Sequence, residues 1–279
     1  MLDSTKKPLI VAIDLDGTLL PETKRIPILT KLFFRKLNKN PNVKIVLASG
    51  RPNLAVAKYA KILGSKAPIV CFNGAIACSA YDPSFPVFVR KFKKENVREI
   101  FSDGLRLNVI ENMLVEDESN TWLFKKDKYL EKFFWVEGSH IHYGEISKTL
   151  HLDPLTVVFK LTESENLVEK LDKIIGKYHD LSYRLWRNGR YAEIFQEGSS
   201  KAEALRHVAD FYNVDMKDVV AFGDASNDIE MLREVGTGVC MVNGHERAKA
   251  AGNRVSVASC EHEGVRKTLK IILKERGYV

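Results

Sequence analysis

The sequence predicts an α/β protein in which a doubly wound parallel sheet forms the core and a smaller α+β domain is inserted into it. Short apolar runs rich in Val and Ile alternate with amphipathic segments of helical length in both terminal parts of the chain. Between them the pattern changes to clustered lysines, scattered aromatic residues and short mixed segments. A chain of 279 residues, 45% of them apolar, is long enough to bury the core that this arrangement requires.

The first part of the core begins with PLIVAID, a nearly continuous apolar run that is typical of a strand buried on both faces. Alternating strands and helices follow, and the dipeptide Asn73-Gly74 marks a turn at their end. The predicted elements are a strand over residues 8–14, a helix over 28–37, a strand over 43–48, a helix over 52–63 and a strand over 68–72.

The inserted segment is predicted to carry a helix over residues 165–175, where apolar residues share one face, and a strand over 181–186. From about Arg190 the alternation resumes with a strand over 191–195, a helix over 200–212, strands over 219–222 and 237–242, and a last helix that ends near Arg276. We therefore predict a core formed by residues 1–83 and 191–279, with an α+β insertion at 84–190.

The basic composition raises nucleic acid or an anionic membrane as a partner, since the formal charge is +7. The excess is local, because residues 1–83 carry a net +8, whereas residues 84–190 carry +1 and residues 191–279 carry −2. Much of it lies before and along the predicted helix 28–37, which we interpret as a solvated basic face. We therefore expect neither nucleic acid nor a membrane as a partner.

The four cysteines form no C-x-x-C pair, which favours a reduced compartment. The first seven residues are mostly polar, and the apolar run after them is too short for a signal sequence or a membrane span. We therefore expect a cytoplasmic protein. The sequence leaves the oligomeric state open.

Asp14 and Asp16 lie where the first predicted strand ends, in the segment D-L-D-G-T. Ligands of open α/β sheets gather at the carboxyl ends of strands. Two carboxylates this close to an apolar strand repel each other, and a Mg²⁺ ion, which prefers hard oxygen ligands, would relieve that repulsion. An acidic turn without bound metal, in which Gly17 supplies an unusual backbone angle, is the alternative.

Ser49 and Gly50 close the second predicted strand, and Pro52 opens the helix after it. The free N–H groups at this helix start and the Ser49 hydroxyl are suited to binding an anion. Capping of the helix by Ser49 fits the same residues.

Lys201 follows Ser200, which forms a predicted capping box with Glu203. The lysine therefore falls in the first helical turn, where the helix dipole disfavours a cation. This placement indicates an anionic partner, and a solvated surface lysine is the alternative.

Asp224 and Asp228 belong to the segment G-D-A-S-N-D, which follows the predicted strand 219–222. Asp224 stands at the strand end and could join the metal site. For Asp228, metal chemistry and simple capping of the next helix fit equally well. Four such segments at successive strand ends are far more specific than any one of them.

Taken together, these segments resemble the haloacid dehalogenase-like (HAD) phosphohydrolases, and within them the Cof-like sugar-phosphatase branch, whose cap domain is of subclass IIB. The resemblance covers nearly the whole chain, and the insertion has the size and position of that branch's cap. The matching motifs are DLDGTLL from Asp14, ASGR from Ala48, NGA from Asn73, the lysine of SSKAEAL, and GDASNDIEML from Gly223.

The resemblance implies a Mg²⁺-dependent phosphatase that hydrolyses small phosphorylated metabolites, such as sugar phosphates, through an aspartyl-phosphate. It implies that Asp14 is the nucleophile and that Asp16 is the general acid and base. Mg²⁺ would be held by the Asp14 carboxylate, the Asp16 main-chain carbonyl and Asp224, and Asp228 would bind it directly or orient bound water.

The resemblance also implies which groups contact the phosphoryl group and the rest of the substrate. The implied phosphate-binding residues are Ser49, Gly50, Lys201 and Asn227, and the implied substrate-binding residues are Arg51, Asn73 and Gly74.

Two other functions fit the same motifs. A phosphomutase would pass the phosphoryl group from the aspartate to a second hydroxyl instead of water. A non-catalytic sensor of phosphorylated metabolites would keep the fold for binding, although it would have little need of both Asp14 and Asp16.

Overall fold

The structure is a computed structural model that describes residues 8–133, 139–186 and 189–278. It contains two compact units, Met1–Phe88 with Ser200–Val279, here called the core unit, and Val89–Ser199, here called the inserted unit. The predicted boundaries at 83/84 and 190/191 thus compare with observed boundaries at 88/89 and 199/200. The expectation about the first seven residues lies outside the described residues.

The secondary structure alternates strands and helices in the core unit and mixes them in the inserted unit. The strands are β1 (Leu9–Ile13), β2 (Val43–Leu47), β3 (Ile69–Cys71), β4 (Ile76–Cys78), β5 (Phe88–Val89), β6 (Ile110–Glu116), β7 (Asn120–Leu123), β8 (His140–Tyr143), β9 (Thr156–Leu161), β10 (Leu181–Trp186), β11 (Tyr191–Gln196), β12 (Val220–Gly223), β13 (Thr237–Cys240) and β14 (Arg254–Val255). The helices are α1 (Ile28–Leu37), α2 (Asn53–Leu63), α3 (Lys94–Arg106), α4 (Lys128–Phe133), α5 (Ile146–Thr149), α6 (Leu167–Ile175), α7 (Lys201–Phe211), α8 (Ile229–Glu234), α9 (Glu246–Ala251) and α10 (Gly264–Glu275).

The main sheet of the core unit is parallel throughout, in the order β14-β13-β12-β1-β2. All five residues of β1 are buried, as its uninterrupted aliphatic sequence predicts for a strand covered on both faces. Because β1 lies between β2 and β12, the residues that follow these three strands meet at one edge of the sheet.

Beside β2, the chain forms a smaller sheet in the order β3-β4-β5. β3 is linked to β2 by a single parallel bridge between Ala48 and Val70 and by the hydrogen bond from Ser49 N to Val70 O. It pairs antiparallel with β4. The sequence did not predict β4 and β5, because strands of two or three residues are too short to show a periodicity.

The inserted unit contains a six-stranded sheet in the order β10-β11-β9-β6-β7-β8. Its pairs are antiparallel except β7 with β8. Alternate residues of β9, Val157 and Phe159, join a buried cluster with residues of α3 and α6 such as Ile100 and Leu171. This packing gives the inserted unit its own apolar core.

From the sequence we assigned the predicted strand 191–195 to the core. Its pairing in the structure shows that this assignment is wrong. β11 is hydrogen-bonded in antiparallel fashion to β9 and β10, so it belongs to the inserted unit. Its sequence places Ala192 and Ile194 on the buried face and Glu193 between them, a pattern that either sheet could have accepted. Sequence alternation therefore identified the strand but not its sheet.

The predicted α/β fold class is confirmed, with a parallel core sheet and a separate sheet in the inserted unit. In the part of the chain that the structure describes, none of the helices is both long and apolar enough to span a membrane.

Candidate active site

The candidate site lies at the carboxyl edge of the core sheet, where open α/β sheets bind ligands. Asp14 follows β1, Ser49 lies two residues after β2, and Asp224 follows β12 directly. The Asp14 amide donates to Phe222 O at 3.0 Å, which continues the pairing of β1 with β12 beyond the end of β1. The parallel register of these strands therefore brings residues separated by about two hundred positions to one point.

Lys201 is the positive centre of this site. Its ammonium lies 2.6 Å from Asp14 Oδ1 and 2.7 Å from Asp228 Oδ1, and all three residues are buried. The Ser200 hydroxyl accepts from the Glu203 amide and caps α7, so Lys201 is the first helical residue. The expected capping box is only half formed, because the Glu203 carboxylate accepts from Arg206 at 2.5 Å.

Asp228 both caps the local backbone and pairs with Lys201. It ends a 3₁₀ turn, Ser226–Asp228, ahead of α8, and does not lie in the first turn of that α-helix as the sequence suggested. Its Oδ2 accepts from the amides of Asp224 at 2.9 Å and Ala225 at 3.1 Å, while Oδ1 accepts from Lys201. The two roles that the sequence left open for Asp228, capping and site chemistry, thus use different oxygens of one carboxylate.

Asp224 completes an acidic cluster with Asp14 and Asp228, in which one carboxylate oxygen of each lies within 4.8 Å of the others. The Thr18 hydroxyl donates to Asp224 Oδ1 at 2.7 Å. Gly17 has φ +81°, and a Cβ atom there would overlap the Asp224 carboxylate, so only glycine fits this approach. The DLDGT segment therefore holds Asp224 in place as well as supplying Asp14.

The donor set of this cluster fits a magnesium ion. Three carboxylates face one ammonium, which leaves an excess of two negative charges in a largely buried site. Hard oxygen ligands and this charge suit Mg²⁺, which binds through a few carboxylates and keeps positions for water and phosphate.

The pKa values of Asp14 and Asp224 are raised, as expected for carboxylates in a buried site with excess negative charge. Burial raises the pKa of Asp14 well above its ordinary value, and the charges of Asp228 and Asp224 add to this, against the opposing charge of Lys201. Burial, followed by the charge of Asp228, raises the pKa of Asp224 to about 6. A cation at this position would stabilise the ionised form of both groups.

Asp16 is turned toward two cations. Arg51 donates from Nε to Asp16 Oδ2 at 2.6 Å and from Nη2 to Oδ1 at 2.7 Å, and Lys24 Nζ lies 2.6 Å from Oδ1. Burial acts to raise the pKa of Asp16, but the hydrogen bonds and charges of Arg51 and then Lys24 outweigh it and leave this pKa below its ordinary value. Asp16 is thus held in its ionised form in this arrangement.

Arg51 was expected to contact substrate, and the structure places its guanidinium on Asp16 instead. It is 3% exposed and also donates to the Tyr59 hydroxyl. The segment that holds it is fixed by short-range contacts, since the Ser49 hydroxyl accepts from the Arg51 amide at 3.3 Å. This contact does not cap α2, whose N-cap is Pro52 without a side-chain hydrogen bond, so the capping alternative for Ser49 is wrong.

The remaining predicted residues form a contact between two loops. Asn227 Nδ2 donates to Asn73 Oδ1 at 2.8 Å, so these two residues contact each other. A Cβ atom on Gly50 would lie 2.8 Å from Asn73 Oδ1. Gly74 has φ +99° and its Cα packs against the Ser200 backbone, which brings the turn after β3 next to the start of α7.

Sequence reasoning missed four residues that shape the site: Thr18, Lys24, Tyr59 and Asn243. Thr18 lies inside the DLDGT motif, and its hydroxyl, a hydrogen-bond donor beside the predicted acidic site, could have indicated its role. Asn243 donates to Gly17 O at 2.8 Å across 226 positions, and nothing local in the sequence marks that contact. In the sequence, Lys24 was distinguished only as one of several basic residues before the predicted helix 28–37.

A parallel core sheet with these charged groups at its edge and an α+β unit inserted into the chain is the architecture of haloacid dehalogenase-like hydrolases. The model of the family described as haloacid dehalogenase-like hydrolase matches residues 11–269, so the chain belongs to this family. The family and the enzyme class that the motifs predicted, a HAD-type phosphatase, are confirmed.

Similar proteins agree with this assignment. The chain is 30% identical to a 5-amino-6-(5-phospho-D-ribitylamino)uracil phosphatase of Bacillus subtilis, over 95% of the chain and 97% of that protein. It is 23% identical to an Escherichia coli phosphatase of the same description, over 96% and 97%. The solved structure of a HAD subclass IIB sugar phosphatase shares the fold with a TM-score of 0.76 at 21% identity, covering 98% of this chain and 100% of that one.

Proposed function

We propose that the protein is a Mg²⁺-dependent phosphatase that hydrolyses small phosphorylated metabolites through an aspartyl-phosphate on Asp14. The observation that carries this proposal is the buried cluster in which Lys201 pairs with Asp14 and Asp228, with Asp224 beside them. Such a cluster holds a carboxylate nucleophile next to a cation at the edge of the sheet, where a phosphate group can enter.

The metal would be held by the carboxylates of Asp14 and Asp224, by the main-chain carbonyl of Asp16, and by Asp228 directly or through water. When bound, Mg²⁺ supplies positive charge that neutralises the phosphoryl oxygens and the acidic cluster.

In the first step, an oxygen of the Asp14 carboxylate attacks phosphorus while the bond from phosphorus to the leaving-group oxygen breaks. Asp16, in its protonated form, gives its proton to that oxygen, and the alcohol leaves. Lys201, the Ser49 hydroxyl and the Gly50 amide face the charge that spreads over the phosphoryl oxygens.

In the second step, a water oxygen attacks phosphorus and the bond from phosphorus to Asp14 breaks. The water proton passes to the Asp16 carboxylate, which restores the starting protonation state and releases phosphate. The ionised Asp16 held by Arg51 and Lys24 is the form that this second step needs. In the first step Asp16 carries a proton, and Lys24, the more exposed of the two cations, turns to the incoming anionic substrate while Arg51 stays on Asp16.

The similar proteins support a substrate among small phosphorylated metabolites. Two of them are described as phosphatases of a ribitylaminouracil phosphate, and one similar structure is described as a sugar phosphatase. A panel of sugar phosphates, polyol phosphates and ribitylaminouracil phosphate is therefore the first choice for a substrate screen.

The test is phosphate release from this panel by the wild type and by Asp14→Asn, with Mg²⁺ and with a chelator. We expect Mg²⁺-dependent release by the wild type and background release by Asp14→Asn, because an amide oxygen is a poor nucleophile. Asp210→Asn, an exposed change on α7, should behave as the wild type. Undiminished turnover by folded Asp14→Asn would contradict the proposal.

Product analysis separates the alternatives within this fold. A hexose 1-phosphate that yields the 6-phosphate without free phosphate would identify a mutase. Tight binding of a phosphorylated metabolite with no turnover in Mg²⁺ would identify a sensor.

A further inference from the structure

Tyr59 connects the two cations that hold Asp16. It lies on α2 with its side chain buried, and its hydroxyl accepts from Arg51 Nη1 at 3.3 Å. The same hydroxyl donates to the main-chain oxygen of Lys24 at 3.1 Å. The ring also lies under the guanidinium, with Arg51 Cζ 5.1 Å from its centre.

These contacts determine which edge of Arg51 reaches Asp16. A guanidinium presents its donors in a rigid planar fork. Because Tyr59 engages Nη1, the edge formed by Nε and Nη2 is directed at Asp16, and it donates one hydrogen bond to each carboxylate oxygen. The orientation of the Asp16 carboxylate is therefore coupled to the Tyr59 hydroxyl.

Lys24 is fixed from the same side. Its backbone has φ +56°, a left-handed conformation that residues other than glycine adopt at a cost in free energy. The hydrogen bond from Tyr59 to the Lys24 carbonyl stabilises that conformation, and the Lys24 ammonium lies 2.6 Å from Asp16 Oδ1. Both cations on Asp16 thus depend on one tyrosine.

We propose that Tyr59 is a positioning residue of the phosphatase reaction, which aims the Asp16 carboxylate at the leaving-group oxygen through Arg51 and Lys24. This inference rests on the proposed function. Tyr59 acts through its neighbours and carries no proton of the reaction itself.

The leaving group provides a test of this role. Departure of an alkoxide from a sugar or polyol phosphate needs a proton, whereas the stable p-nitrophenolate leaves without one. The constant kcat/KM covers the steps up to departure of the leaving group. A residue that positions the proton donor should therefore change kcat/KM for alkyl phosphates and leave it nearly unchanged for p-nitrophenyl phosphate.

The experiment measures kcat/KM of the wild type, Tyr59→Phe and the control Tyr212→Phe with both substrate classes in Mg²⁺. We expect Tyr59→Phe to lose about fivefold or more with the alkyl phosphate, because both hydrogen bonds of the hydroxyl are removed, and less than about twofold with p-nitrophenyl phosphate. Tyr212→Phe, a change on the core unit away from these contacts, should match the wild type on both. Equal losses on the two substrates, or no loss on either, would overturn the inference.

A second variant, Arg51→Lys, tests the inference even if Tyr59→Phe has a folding defect. Arg51→Lys keeps the charge but loses the paired hydrogen bonds to Asp16, so it should show the same dependence on the leaving group. Because Tyr59 acts in part through Arg51, the double variant should lose less than the product of the two single-variant losses, and a loss equal to that product would overturn the inference. Failure of the wild type to release phosphate from any substrate would instead overturn the proposed function, and this inference with it.

Discussion

Lys201 is the residue on which both the stability and the chemistry of the site depend. Removing an ammonium from water costs several kcal/mol, and the hydrogen-bonded carboxylates of Asp14 and Asp228 offset that cost. Burial acts to lower the pKa of Lys201, but the charges of these two aspartates outweigh it and raise that pKa above its ordinary value. The side chain therefore remains a cation across the physiological pH range.

Replacing this cation should affect turnover and folding together. In Lys201→Met, the two buried carboxylates lose their partner, and we expect a loss of about 3–5 kcal/mol in the free energy of unfolding. Phosphate release should fall by about a hundredfold or more, because a charge aimed at the phosphoryl oxygens is gone. Urea unfolding and phosphate release measure the two effects. The exposed Lys217→Met is the control, and near-normal turnover in Lys201→Met would exclude the assigned role.

Thr18 should act on the metal through Asp224. Thr18→Val keeps the shape of the side chain but removes the hydroxyl that donates to Asp224 Oδ1. Hydrogen bonds of this kind typically change metal affinity by about tenfold or more, so a higher Mg²⁺ concentration should be required for half-maximal binding. Calorimetric titration with Mg²⁺ measures the affinity independently of turnover. Thr18→Ser should retain it, and an unchanged affinity in Thr18→Val would show that Asp224 does not hold the metal.

Single elements of the core unit were predicted well where their sequence was long and periodic, whereas in the inserted unit even long elements such as α3 (Lys94–Arg106) and β6 (Ile110–Glu116) were not predicted. The predicted helix 28–37 matches α1 (Ile28–Leu37), since its amphipathic pattern extends over its whole length. The two-residue strand β5 and three-residue strand β4 have no such pattern. β11 was recognised as a strand, but its partners are chosen by packing within the inserted unit, which local sequence does not encode.

β6 contains a buried carboxyl group that the proposed reaction does not use. Glu116 is 2% exposed, Thr121 Oγ1 donates to its Oε1 at 3.3 Å, and its Oε2 lacks a hydrogen-bond partner among the described residues. Burial raises the pKa of Glu116 from 4.5 to about 8, with a smaller contribution from the charge of Asp117. Between these two pKa values, the Glu116 carboxyl group is therefore protonated in the folded chain and ionised in the unfolded chain.

This difference makes the stability of the inserted unit depend on pH. Between about pH 4.5 and pH 8 the folded state binds more protons than the unfolded state, so the contribution of Glu116 to the free energy of unfolding falls as pH rises. The slope approaches about 1.4 kcal/mol per pH unit and vanishes above pH 8. In Glu116→Gln this slope should be absent, so the variant should gain stability relative to the wild type between pH 6 and pH 8.

Tryptophan fluorescence during urea unfolding measures this effect selectively, because all three tryptophans of the chain lie within the segment 89–199. The exposed Glu163→Gln is the matched control and should follow the wild type at both pH values. Parallel pH dependence of the wild type and Glu116→Gln would contradict the assignment of a buried, protonated Glu116.

For the whole molecule, the sequence predicted which residues meet but not how they bond. Asp14 and Asp224 follow separate strands of the parallel core sheet, whose geometry brings strand ends together, so this part of the site could be located from the sequence. Lys201 comes after β11, which belongs to the sheet of the inserted unit, so this rule does not place it. The placement of Arg51 on Asp16, and the role of Tyr59 between Arg51 and Lys24, depend on side-chain directions across 35 positions. No spacing rule specifies those contacts.

The net positive charge of the chain should not lead to nucleic-acid binding. The basic helix α1 also exposes Ile28, Leu29 and Leu32, so its outer face is mixed and not the continuous basic stripe that binds a phosphate backbone. We expect no shift of duplex DNA or RNA in gel electrophoresis near physiological ionic strength. A retarded band that disappears only at high salt would show that this surface binds nucleic acid.

The formation of a phosphoryl group on Asp14 is the most direct test of the proposed mechanism. The wild type, mixed with an accepted substrate and Mg²⁺ and quenched in acid during turnover, should carry one phosphoryl group, and peptide mapping by mass spectrometry should locate it on Asp14. Asp14→Asn should carry none and should release no phosphate. A phosphoryl group on another residue, or phosphate release at the wild-type rate by Asp14→Asn, would contradict the account.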